Sequence, residues 1–140
     1  MLKWFPLLLI SVVVYNVLAL SVPAGQVEAM LDRSIAVPMF SGDIWHFTTG
    51  DFLVLVSLGL LFIEMVKSTG TGSVQVLNHG LSMLVFVLAL GEFLVLRGFS
   101  TSTFFLIMMM AFFDVVAGFT VGIVAAKRDL GTTHGIIGTN

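Results

Sequence analysis

TFFLIMMMAFFDVVAGFTVGIVAA, residues 103–126, decides the fold. At 1.5 Å per residue this run is long enough to cross a ~30 Å hydrocarbon core, and its single charged residue is Asp114. A charged side chain at that depth costs at least ~2.5 kcal/mol in lipid, so its face must be turned toward protein. Residues four apart share a helical face. Asp114, Gly118, Gly122 and Ala126 therefore form one stripe. Gly118 and Gly122 make a small-xxx-small pattern, which admits a second helix at close range. Asp114 is expected inside a helix–helix contact.

The rest of the chain agrees with a lipid solvent. Of its 140 residues, 58% are hydrophobic and 10% charged, with a mean hydropathy of +1.10. A soluble domain would carry about 25% charged residues. The net charge of −2 comes without a basic stripe, so nucleic acid is not an expected partner. Cysteine is absent, which removes thiol nucleophiles, disulfides and Cys-based metal sites.

Three further segments have the length and apolarity of spans: residues 4–20, 51–67 and 74–96. Thr48, Thr49 and Asp51 are placed to cap the second. Lys3 and Ala19-Leu20-Ser21 loosely fit a cleaved signal peptide, but the run is long for one and Tyr15 and Asn16 interrupt it. A retained helix is expected. The basic residues Lys3, Lys67, Lys127 and Arg128 flank one side, and Arg33 and Arg97 the other. That bias puts both termini in the cytoplasm, with Trp4 and Trp45 near opposite interfaces.

Residues 21–50 form the outer loop. Val27, Met30 and Leu31 have the spacing of a short amphipathic surface helix. Ile35, Val37 and Met39 alternate before a Ser-Gly-Asp turn, and residues 44–48 return as a β-hairpin. Pro38 confines its strand to an edge. The plain expectation is a lid over the outer end of the bundle. The sharper one is a docking surface built on Trp45, His46 and Phe47. The inner loop KSTGTGSVQ lacks the Gly-Lys-Ser/Thr ending of a phosphate loop and reads as a turn with Ser73 as helix cap. Residues 131–140 read as a flexible tail, which leaves residues 1–130 as a single domain.

On the third span Asn78, Ser82, Val85, Ala89 and Glu92 share a face that suits the fourth. Arg97 is in range to reach back to Glu92. On the second, Glu64 and Lys67 are spaced as an i,i+3 ion pair, with Ser57 on nearly the same face. His79 is expected to bond a carbonyl or Glu64. As a haem ligand it would need a second histidine at its depth, but His46 is outside and His134 is in the tail. Acids and histidines share no metal-ligand spacing, and no nucleophile–base–acid set occurs. No cofactor, metal or catalytic residue is expected.

The stretches FSGDIWHFTTGD, LLFIEMVKSTGTG and STSTFFLIMMMAFFDVVAGFTVGIVAAKRD, within residues 40–129, resemble small uncharacterised four-helix membrane proteins of bacterial genomes. The resemblance implies a bacterial inner-membrane location and no particular activity. The expected fold is an all-α bundle of four transmembrane helices with a short extracytoplasmic amphipathic helix and β-hairpin. The expected function is that of a non-enzymatic accessory or scaffold subunit. It would assemble by helix–helix association as a homo-oligomer or within a larger membrane complex. One alternative is a proton-coupled carrier or ion-conducting oligomer using Glu64, Asp114 and Glu92. Another is quinone or lipid binding beside Met108, Met109 and Met110.

Overall fold

Pro6 sets where the first helix begins, because it lacks an amide proton and its ring fixes φ for a first turn. In the computed structural model, which describes residues 5–68 and 73–136 and the side chains of these except 68, 73–76, 125–126 and 128–136, α1 runs over Leu8–Leu20. Its 13 residues give roughly 20 Å, short of a hydrocarbon core. The span expected over residues 4–20 is thus reduced, and Trp4 lies outside the described residues. After Pro23 the chain bends by 108° into a 3-10 turn, Ala24–Gln26, and a short helix α2, Val27–Leu31.

The amphipathic reading of α2 holds, but its apolar side is a corner of the core. Val27 and Leu31 are buried in one cluster with Val12, Tyr15 and Ala19 of α1. The hairpin follows, with β1 (Ser34–Pro38) antiparallel to β2 (Ile44–Thr48), paired from Ser34↔Thr48 to Pro38↔Ile44. Its turn places Gly42 at φ +93°, a left-handed conformation that glycine adopts without strain.

The long helices are α3 (Thr49–Ser68), α4 (Ser73–Val95) and α5 (Ser102–Ile136). Thr48 and Asp51 close a reciprocal capping box at the head of α3. The Asp51 amide donates to Thr48 Oγ1 and the Thr48 amide to Asp51 Oδ2, both at 2.9 Å. Among the described residues three stretches, Thr49–Lys67, Leu77–Val95 and Ser102–Val124, are long and apolar enough to cross a membrane. A fourth qualifies only if α1 and the bent α2 segment count as one. α5 continues to Ile136, into the stretch read as a tail, because residues 125–130 contain good helix formers and no proline. Residues 137–140, and residues 69–72 of the inner loop with the Ser73 cap, lie outside what the structure describes.

The lid expectation is not met. Ile35, Val37, Met39, Phe40, Ile44 and Trp45 are exposed, so the hairpin does not fold over the bundle. The hairpin end of the bundle is closed by α2 and the α4–α5 turn instead. Gly98 in that turn has φ +85°, and a Cβ there would meet Val27 Cγ2 at 3.0 Å. Phe99 and Phe104 pack against the Tyr15 ring at centroid distances of 5.5 and 4.5 Å. The Tyr15 hydroxyl pairs with Thr101 Oγ1 at 2.6 Å and reaches the Gly98 carbonyl at 3.2 Å.

Candidate functional site

Four residues of the stripe read on α4, Asn78, Ser82, Val85 and Ala89, are buried, and its fifth, Glu92, is half-buried. Helix α4 packs on α5 along it. Asp114 on α5 is 2% exposed, as an acid within an apolar helix must be. Ser82 and His79 of α4, and Glu64 and Lys67 of α3, stand around it electrostatically. Three helices therefore bring polar residues of their apolar stretches into one cluster near the Lys67 end of α3.

Glu64 is its anchor. Its side chain is fully buried. Oε2 accepts the Leu7 amide at 2.9 Å and Lys67 Nζ at 3.1 Å, and Oε1 accepts Asn78 Nδ2 at 2.5 Å. The Glu64–Lys67 pair is present as expected, but its role is larger than a surface pair. The first amides of a helix lack partners, and Glu64 supplies one at the head of α1. Lys67 Nζ adds a bond to the Phe5 carbonyl at 2.9 Å. Ser57, buried two turns earlier, bonds the Leu53 carbonyl at 2.7 Å.

Asp114 is the opposite case. Its Oδ2 is buried without a hydrogen-bond partner, and so are Asn78 Oδ1, Ser82 Oγ and His79 Nδ1. The partner expected for His79, a carbonyl or Glu64, is not found at Nδ1. The imidazole instead stands on Gly118, where a Cβ would collide with Nδ1. The glycine makes room for a side chain rather than for a helix backbone. Gly122, next on the stripe, is exposed with nothing within 4 Å, and the Ala126 side chain is not described.

Glu92 lies apart. Its Oε2 accepts Asn16 Nδ2 at 3.0 Å, and Asn16 also donates to the Val12 carbonyl at 2.9 Å. The expected Arg97 contact is replaced by this bond from α1. Between Ser82 and Glu92, roughly 15 Å of helix, α4 presents Val85 and Ala89 inward. The buried Phe104, Ile107 and Met108 of α5 belong to the same core cluster. The acids thus form two separate clusters rather than a ladder. The methionines are mostly core filler: Met108 and Met110 are buried and Met109 is partly so.

On the hairpin, Trp45 and Phe47 share a face with Val37 and Ile35, and His46 lies opposite with Ala36. The Trp45 and Phe47 rings meet edge-on at 5.1 Å. At the hairpin's root an apolar groove of about 320 Å³ runs between Ile35, Phe47 and Phe52, with Arg33 on its border. A second, of about 460 Å³, lies on the outward side of α3 along Leu58, Gly59 and Phe62. Among the described residues no cluster of three or more His, Asp or Glu could hold a metal ion.

Sequence reasoning passed over Tyr15 and Asn16, which it treated as interruptions of α1, and over Ser11, buried on the same helix. Two adjacent polar residues in an apolar helix are the signal that would have found the Asn16–Glu92 and Tyr15–Thr101 bonds. Comparison with protein-family models, with curated proteins and with solved structures gives no match, so the resemblance to small bacterial four-helix proteins gains no counterpart.

Proposed function

We propose that the chain is an integral membrane protein of the accessory or scaffold type, acting by association rather than by catalysis. In this reading α3, α4 and α5 span the bilayer, α1 with its bent extension makes a fourth, shallower element, and the hairpin lies outside. Lys67, Lys127 and Arg128 on one side against Arg33 and Arg97 on the other favour cytoplasmic termini. A bacterial inner membrane suits that polarity.

One observation carries the reading: the buried polar hydrogen bonds join segments of this one chain, in two clusters separated by apolar side chains. They supply internal cohesion and leave outward faces to meet lipid or protein. Gly118 is engaged by His79, so association falls to Gly59 in its groove and to the open Gly122. The test is purification in mild detergent with mass spectrometry of what stays bound. A stoichiometric partner, or a discrete oligomer lost in Gly59→Leu or Gly122→Leu, supports the proposal. A monomer with no partner removes it.

A second reading is favoured by the open polar atoms at Asp114, Ser82, Asn78 and His79, which suit proton binding within the inner cluster. It calls for pH-dependent flux in proteoliposomes that Asp114→Asn abolishes. Flux equal to that of empty liposomes rejects it.

A further inference from the structure

The root of the hairpin is fixed to α3 by backbone. Both the amide and the hydroxyl of Thr49 donate to the Arg33 carbonyl, at 2.9 and 3.2 Å. The Thr48–Asp51 box adds two more bonds at the same place. The groove between Ile35, Phe47 and Phe52 is therefore a built feature that a swing of the hairpin cannot erase. Its volume of about 320 Å³ is at the small end of ligand sites. Phe52 is half exposed, and Leu55 and Val56 follow it on the same outward face of α3. The floor of the groove thus runs on into the surface that acyl chains would cover.

Charge restricts the occupant. From Ser34 to Thr48 the sole formal charge is Asp43, at the far tip. Arg33 borders the groove, is exposed, and makes no salt bridge among the described residues. A fitting molecule is apolar along Phe52 and anionic beside Arg33. A guanidinium pairs strongly with phosphate oxygens through parallel N–H bonds. The head of a spanning helix also stands at headgroup level.

We infer that this groove holds an anionic phospholipid of the outer leaflet, its phosphate on Arg33 and the upper part of one acyl chain against Ile35, Phe47 and Phe52. The inference rests on α3 spanning the bilayer. The test incorporates the full chain into nanodiscs of equal parts phosphatidylcholine and phosphatidylglycerol, then measures by native mass spectrometry the lipid retained in detergent. The wild type should retain phosphatidylglycerol over phosphatidylcholine. Arg33→Gln should lose that preference several-fold, as should Ile35→Glu, which sets a negative charge in the groove. Arg97→Gln, at the other exposed outer cation, should keep it. No preference in the wild type, an unchanged Arg33→Gln, or an equal fall in both arginine variants overturns the inference. A chain that alkaline carbonate strips from membranes would instead fell the spanning reading.

Discussion

Glu64→Ala should be among the most damaging single substitutions in the bundle. The side chain is fully buried and accepts from Leu7 N, Lys67 Nζ and Asn78 Nδ2. Hydrogen bonds to charged groups contribute ~1.5–3 kcal/mol each, and a buried donor left without a partner costs ~1–3 kcal/mol. Leu7 and Asn78 are both buried, whereas Lys67 can turn to water. Two stranded donors therefore set a loss of about 2–6 kcal/mol. Glu64→Gln should be far milder, and the reason is geometric. The glutamine oxygen can replace Oε2 for Leu7 and Lys67. Its amide then faces Asn78, whose Oδ1 is unpartnered and can be presented by a flip of the side chain. Only the charge assistance is lost, about 1–2 kcal/mol. The assay is reversible unfolding in mixed micelles followed by far-ultraviolet circular dichroism. A Glu64→Ala variant within about 0.5 kcal/mol of wild type, or a Glu64→Gln variant as weak as Glu64→Ala, would refute the reasoning.

Further outcomes follow from close contacts and from backbone conformation. Gly118→Ala drives a Cβ into the His79 imidazole and should destabilise by ~1–3 kcal/mol; His79→Ala in the same chain should recover most of that in the unfolding assay. Gly98→Ala combines φ +85° with a 3.0 Å approach to Val27 and should lower stability by ~1–3 kcal/mol. Gly42→Ala, at φ +93° in open space, should show only the backbone part of that loss. Tyr15→Phe removes the hydroxyl that bonds both the Gly98 carbonyl and Thr101 Oγ1 and should cost ~1–2 kcal/mol, seen as an earlier thermal midpoint.

How much of this was legible in the sequence depends on the range of the interaction. Local signals gave α3 and α4 to within two residues, the Thr48–Asp51 cap, the hairpin and the inward faces of Asn78–Ala89 and Asp114. Each rests on helical or strand period, or on a cap within one turn. What failed was pairing across the fold. Glu64 as the cap of α1, Asn16 rather than Arg97 on Glu92, and His79 on Gly118 link residues 39–76 positions apart. No spacing rule reaches that far. The lid failed for a related reason: alternation finds a hairpin and says nothing of what covers it.

The two buried acids near Lys67 make opposite stability statements, and the contrast decides what Asp114 is for. Glu64 is saturated with donors, so its removal strands them. Asp114 Oδ2 is unpartnered, as are Asn78 Oδ1, Ser82 Oγ and His79 Nδ1; of its neighbours Ser82 and His79, only the Ser82 hydroxyl has a proton to turn toward the carboxyl when Nδ1 is unprotonated. Asparagine has nearly the same shape and brings two N–H donors into that set. Asp114→Asn should therefore be neutral or stabilising, by up to about 1 kcal/mol per bond gained. Were the Asp114 carboxylate instead held by donors as that of Glu64 is, the same substitution would turn an N–H onto one of them and cost a few kcal/mol. Unfolding in micelles separates the two. A stabilised Asp114→Asn with intact assembly means the carboxyl is kept at the expense of stability, which is the mark of a residue retained for binding a proton or another charge. A clear destabilisation makes Asp114 a second pin of the bundle and leaves the outward faces and the hairpin as the only surfaces on which this protein acts.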